Sequence, residues 1–135
     1  MNLEEVKAKF KFKLKLDVRW SDMDEMHHVN NAVYLTYFEQ ARIYYFGDTL
    51  KLNWDEMSFI LASVKIDYLK ALVFPCEAWV YMRITKFGNK SFETQYLVTG
   101  LTDGKEEISA AGHSTLVMYD YKANKTKSLP DELIS

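Results

Sequence analysis

From Phe10 to Trp20 every even position is apolar (Phe10, Phe12, Leu14, Leu16, Val18, Trp20) and every odd one is charged (Lys11, Lys13, Lys15, Asp17, Arg19). A period of two sustained over residues 10–20 predicts a strand with one buried and one wet face. The lysine row is thereby read as a solvated sheet face rather than an anion-binding stripe. Residues 21–31 break the pattern into a polar loop that ends on two asparagines, either suited to cap a helix. Ala32 to Phe46 then runs without Gly or Pro until Gly47, which predicts a helix ending there. Tyr34, Tyr37, Phe38, Ala41 and Tyr45 fall on one helical face, and Leu35, Ile43 and Phe46 widen the apolar surface. A helix so patterned is expected to be mostly enclosed.

Alternation returns in Phe59–Leu69 and Glu77–Lys86, where Ala78, Val80, Met82 and Ile84 oppose Trp79, Tyr81 and Arg83. Phe87-Gly88-Asn89-Lys90 is hairpin chemistry, and Ser91–Thr99 returns antiparallel. Asp103-Gly104 marks the next turn before a long strand over Ile108–Tyr119, with a polar tail from Asp120 expected to fray. Asn53-Trp54-Asp55-Glu56 has capping-box spacing. Strand, helix, then four strands predicts an α+β architecture: an antiparallel sheet of about five strands wrapped around one long central helix, the only element able to cover the sheet's apolar face. The odd-face aromatics Trp79 and Tyr81 suggest a second buried surface, such as a partner subunit.

Length and composition narrow the picture. The 135 residues suit one domain, 1–135, and 48% hydrophobic against 27% charged residues is the balance of a chain with a core. A formal net charge of −2 argues against nucleic acid as a partner. The single cysteine, Cys76, excludes an intrachain disulfide and is expected to be a packed thiol. The acidic start and the lack of any apolar run near the ~18 residues of a membrane span lead to the expectation of a cytoplasmic protein.

Candidate chemistry gathers in the loop and helix start: Asp22, Asp24, Glu25, His27, His28, Asn30 and Asn31. A helix N-terminus leaves backbone N–H groups unpaired and carries positive partial charge, so it can hold a developing oxyanion beside an upstream carboxylate. The same residues could instead merely form turns and caps. Adjacent histidines in an extended loop point apart and no third lies at helical spacing, so no metal is expected. No Gly-x-Ser-x-Gly elbow and no glycine-rich phosphate loop is present. Glu39 and Arg42, at i and i+3, are expected to form an ion pair.

The stretch Arg19-Trp20-Ser21-Asp22-Met23-Asp24, then His28-Val29-Asn30-Asn31-Ala32, Tyr34-Leu35 and Phe38-Glu39-Gln40-Ala41-Arg42, resembles the hotdog-fold acyl-CoA thioesterases of the 4-hydroxybenzoyl-CoA thioesterase family. The Asp-x-Asp and His-Val-Asn-Asn elements also resemble acyl-acyl-carrier-protein thioesterases. Lys65-Ile66-Asp67-Tyr68-Leu69 and Gly88-Asn89-Lys90-Ser91-Phe92 extend the likeness over most of the chain. The resemblance implies a hotdog fold and hydrolysis of acyl-CoA to free acid and CoA. It implies Asp24 as the catalytic carboxylate, acting as general base or nucleophile, Asp22 as its structural neighbour, and His28 as the group orienting water or Asp24. Asn31 and Tyr34 at the helix start, and Asn89, Lys90 and Ser91 at the turn where the family's coenzyme A often passes, become candidate substrate-binding residues. Two positions depart from the pattern: Met26 replaces an asparagine of the carrier-protein branch, and His27 stands where the benzoyl-CoA branch tends to have glycine. No cofactor beyond the coenzyme A of the substrate is implied. A homodimer, or a tetramer of paired dimers, with active sites shared across the interface is expected. The alternatives are a carrier-protein thioesterase and a non-catalytic acyl-thioester-binding module.

Overall fold

In a computed structural model the described residues are 2–53, 55–56 and 58–134. In chain order they form α1 (Leu3–Lys7), β1 (Phe12–Leu16), α2 (Val33–Tyr44), β2 (Phe59–Tyr68), β3 (Ala78–Phe87), β4 (Ser91–Thr102), β5 (Lys105–Asp120), β6 (Lys125–Thr126) and α3 (Asp131–Ile134). The five long strands make one antiparallel sheet ordered β1-β3-β4-β5-β2, with β6 paired to β5. Two hairpins lay β3, β4 and β5 side by side, so the connection from β1 to β2 must cross the sheet, and α2 makes that crossing on its concave face. This is the predicted sheet curled around one main helix.

Strand alternation sets the core. Ala78, Val80 and Met82 of β3, Phe92, Tyr96 and Val98 of β4, and Ala110, Leu116 and Met118 of β5 are buried, and Tyr34, Tyr37, Phe38 and Ala41 of α2 meet them. Phe38 stacks on Tyr96 with centroids 4.2 Å apart and planes at 7°. Gly112 makes this approach possible, because a Cβ there would lie 2.8 Å from Phe38 Cε2 and 2.7 Å from the Lys65 carbonyl oxygen.

Several expectations are corrected. The first strand covers only Phe12–Leu16, since its partner β3 begins opposite Leu16, at Ala78, and nothing pairs beyond. Trp20 opens a 3₁₀ turn, Trp20–Asp22, and is 75% exposed. The helix does not stop at Gly47 but widens into a π-helical turn, Tyr45–Thr49, closed by Leu50 N–H donating to the Tyr45 carbonyl at 3.0 Å. Nor is it enclosed: while Tyr34, Tyr37, Phe38 and Ala41 face the sheet, Leu35, Ile43 and Tyr44 are exposed. The odd face of β3 is covered by this chain's own N-terminus, where Phe10, Leu3 and Val6 pack on Tyr81, Leu97 and Trp79. The unpredicted α1 is short and capped by Asn2, whose Oδ1 accepts from Glu5 N at 2.8 Å. The tail is not frayed, since β6 pairs with Tyr119 and Asp120, and Leu129 and Leu133 are buried. The capping box forms between Asn53 and Glu56, each backbone N–H donating to the other's side chain at 3.0 and 2.9 Å; Trp54 lies outside the described residues.

Candidate active site

Asp22 is buried and fully engaged. Its Oδ2 accepts from Arg19 N at 3.0 Å and from the Tyr37 hydroxyl at 2.9 Å, and its Oδ1 accepts from the Arg19 guanidinium at 3.0 and 3.2 Å. Burial alone would raise its pKa, but the donors from Arg19 and Tyr37 outweigh it and hold the carboxyl below its ordinary range. Burial, together with the neighbouring Asp22 carboxylate, pushes the Tyr37 phenol well up, keeping it a neutral donor. Asp22 thus bolts the loop to the buried face of α2, and its carbonyl accepts from Asn30 N at 2.9 Å.

Two residues on, Asp24 is half-buried and does something different. Its Oδ1 accepts from Met26 N at 2.9 Å and His28 N at 3.3 Å, and its own N–H donates to the His28 carbonyl at 2.8 Å. The result is a closed five-residue loop whose amides face one carboxylate oxygen, while Oδ2 takes no hydrogen bond among the described residues. The loop closes because His27 adopts φ +64°, the left-handed region where glycine is easiest. His27 and His28 are both exposed. A bridge between Met23 and Val29, and Val29 N donating to the Leu72 carbonyl at 2.9 Å, fix the loop's base.

At the start of α2, Asn30 supplies both caps: its Oδ1 accepts from Ala32 N and its carbonyl from Val33 N, each at 2.9 Å. The Asn31 N–H is left without an acceptor among the described residues, and the Asn31 carbonyl accepts from the Tyr68 hydroxyl at 2.9 Å. Asp24 lines an open groove of about 820 Å³ together with Trp20, Ser21, Met23, Met26 and the capping Asn30, among others. Trp20 and Met26, 75% and 73% exposed, make its rim apolar.

The other sequence candidates do not gather here within one chain. Tyr34 is buried, its hydroxyl sharing a 2.8 Å hydrogen bond with Ser109. Asn89, Lys90 and Ser91 sit at the β3–β4 turn, whereas the Asp24 loop follows Leu16, which pairs with the opposite end of β3. Ten strand residues separate the two ends, roughly 30 Å. The turn's backbone is engaged elsewhere, the Lys90 carbonyl accepting from Met118 N and the Asn89 carbonyl from Leu129 N. Burial raises the half-buried Cys76 thiol, which suits a packed group. Among the described residues no group of three or more His, Cys, Asp or Glu side chains could hold a metal. Arg19, Tyr37 and Tyr68, which organise the site, were not singled out from sequence; Arg19 at i−3 from Asp22, and Tyr37 on the buried helical stripe, were the available signals.

The profile of the Thioesterase-like superfamily matches residues 18–135. The chain belongs to that family. This thioesterase also matches a crystal structure of a thioesterase from Thermus thermophilus complexed with coenzyme A and Zn: 34% identity, TM-score 0.80, 93% of this chain and 95% of that one covered. It is 29% identical over 133 residues to the uncharacterised protein YsmA of Bacillus subtilis, covering 98% of this chain and 88% of that one. It is 25% identical over 122 residues to the long-chain acyl-CoA thioesterase FadM of Escherichia coli, covering 88% and 91%. The expected hotdog thioesterase fold and thioester-hydrolase class are thereby borne out. No helix among the described residues of the thioesterase is long and apolar enough to cross a membrane.

Proposed function

We propose that this thioesterase hydrolyses acyl-CoA thioesters, with Asp24 as the group that acts at the thioester carbonyl. The observation carrying the reading is the Asp24 loop itself, which fixes one carboxylate oxygen on the Met26 and His28 amides and leaves the other to react. A thioester asks for little more. Its thiol, with a pKa of ~8.5, leaves as thiolate without a strong general acid. Asp24 either attacks the carbonyl carbon, giving a mixed anhydride that water cleaves, or takes the proton of an attacking water. The Asn31 N–H, at the positive end of α2, donates to the carbonyl oxygen as negative charge develops, and the exposed His28 orients the water. Coenzyme A as carrier is supported by the named substrate of FadM and by the coenzyme A bound to the Thermus protein.

The functional unit in this reading is a homodimer joined through β2. Among the described residues that strand pairs only with β5, and its apolar residues Leu61, Val64 and Tyr68 are exposed, the profile of an edge awaiting a partner. A two-fold axis through β2 has a further consequence. Phe59 lies at the Met118 end of β5, the same end as the β3–β4 turn, and Tyr68 lies at the Asp24-loop end. Antiparallel β2–β2 pairing thus carries the partner's β3–β4 turn to the same end as this chain's Asp24 loop, which would bring Asn89, Lys90 and Ser91 into a shared site.

Thiol release from a panel of acyl-CoAs and acyl-carrier-protein thioesters tests the proposal. Turnover of an acyl-CoA is expected. Turnover of carrier-protein thioesters alone would move the substrate to that class, and binding without turnover would leave a non-catalytic module. Val64→Glu, which puts a charge on the β2 face, is expected to sediment as a monomer and to lose thiol release with it; a monomeric native protein of full activity would overturn the shared site.

A further inference from the structure

Beside the C-terminal half of α2, where Phe46 packs on Phe59 of β2, lies a cavity of about 360 Å³ walled by Ile43, Phe46, Phe59, Leu61 and Leu116, with Glu39 and Arg42 as its two charged residues. These two do not form the ion pair their spacing led us to expect: no salt bridge joins them among the described residues. Arg42 instead donates through Nη1 to the Tyr96 hydroxyl at 3.0 Å. Tyr96 in turn meets Ser114 Oγ at 2.8 Å, which meets Thr94 Oγ1 at 2.5 Å, and all three are buried. A chain of hydroxyls inside the sheet therefore fixes one edge of the guanidinium, while a guanidinium offers five N–H donors in all.

We propose that this cavity is the distal acyl subsite of the thioesterase and that Arg42 and Glu39 select a chain carrying a hydroxyl group. The proposal rests on the acyl-thioesterase reading above. A hydroxyl satisfies both charges at once, accepting from Arg42 and donating to Glu39. A plain hydrocarbon tail strips water from both and returns nothing, and a terminal carboxylate would face Glu39. Sites built to bind a hydroxyl discriminate strongly against the analogue lacking it. Arg42 stands ten residues beyond Ala32, about 15 Å along the helix axis at ~1.5 Å per residue, which an extended aliphatic chain reaches and a single aromatic ring at the thioester does not.

The experiment compares kcat/KM for acyl-CoAs of equal length with and without a hydroxyl in the distal half of the chain, in the native protein, Glu39→Leu and Arg42→Met, which remove the acceptor and the donor respectively. The native protein is expected to favour the hydroxylated chain by about tenfold or more, a partial form of the discrimination open to a fully buried site, and each variant to bring the ratio close to one. The ratio is independent of how much protein is folded. A native ratio of one or below, or variants that keep the native ratio, would overturn the proposal. Variants that sediment as monomers with the ratio unchanged would also overturn it and assign the pair to the subunit interface. If no acyl-CoA is hydrolysed, the thioesterase reading has failed; titration calorimetry with the matched free acids then decides the subsite, tighter binding of the hydroxy acid by the native protein alone supporting it and equal binding refuting it.

Discussion

Asp22 and Asp24 are two residues apart, yet the structure gives them opposite work, and Asp22→Asn separates the two. The substitution keeps shape but removes the charge and turns one acceptor into a donor aimed at Arg19 or Tyr37. The buried Tyr37 hydroxyl loses an ionised acceptor, at a cost of about 1–3 kcal/mol. The Arg19 side chain is 66% exposed, so its contribution is discounted to about 0.5–1 kcal/mol. A loss of about 1.5–4 kcal/mol follows at pH 7, read as a fall in the urea midpoint of roughly 0.8–2 M for a slope of ~2 kcal/mol per M. The pH dependence has a definite sign. Asp22 is held below its unfolded pKa, so its stabilisation is complete above ~3.9 and fades as pH falls through the lower folded value; the deficit of the variant must shrink in that acid window. Thiol release per folded molecule should fall far less than for an Asp24 variant. Unchanged stability with activity abolished would refute the reasoning and make Asp22 the reacting carboxylate.

Other consequences are equally direct. His27→Gly relieves a left-handed φ and is expected to leave stability unchanged or raise it by up to about 1 kcal/mol, with activity kept, by urea melt and thiol release. Gly112→Ala forces a Cβ against Phe38 and the Lys65 carbonyl, an overpacking worth about 1–3 kcal/mol that should lower the melting temperature by several degrees. Glu106→Gln weakens a carboxylate that accepts from Lys7 at 2.6 Å, Tyr81 at 2.9 Å and Thr99 at 2.5 Å, and should loosen α1, seen as faster amide exchange around Phe10 and Val6.

Much of this was legible beforehand because alternation and helical spacing are written in side-chain polarity. Ala78, Val80 and Met82 on the even face of β3 and the Tyr34, Tyr37, Phe38, Ala41 stripe are buried as their periods require, with Ile84 partly buried. What escaped depended on partners distant in sequence. Leu129 and Leu133 anchor a tail whose polar neighbours hid them, and Tyr81 is covered by a five-residue helix too short to announce itself. Gly47 is a poor stop because the widened turn keeps Phe46 in the core. At the site, the aspartate pair stood out, but which one was structural turned on Tyr37 and Arg19 reaching Asp22, a matter of geometry. Glu39 and Arg42 had the spacing of a pair, and only the buried hydroxyl of Tyr96 explains why Arg42 turns elsewhere.

The central claim is that Asp24 carries out thioester hydrolysis, and the most direct test is kcat for thiol release by Asp24→Asn beside the native protein, on whichever acyl-CoA the native protein turns over fastest, with matched urea midpoints. Loss of a direct catalytic group predicts a fall of at least ~100-fold. Equal rates in the two proteins would contradict the assignment of Asp24 and the mechanism built on it.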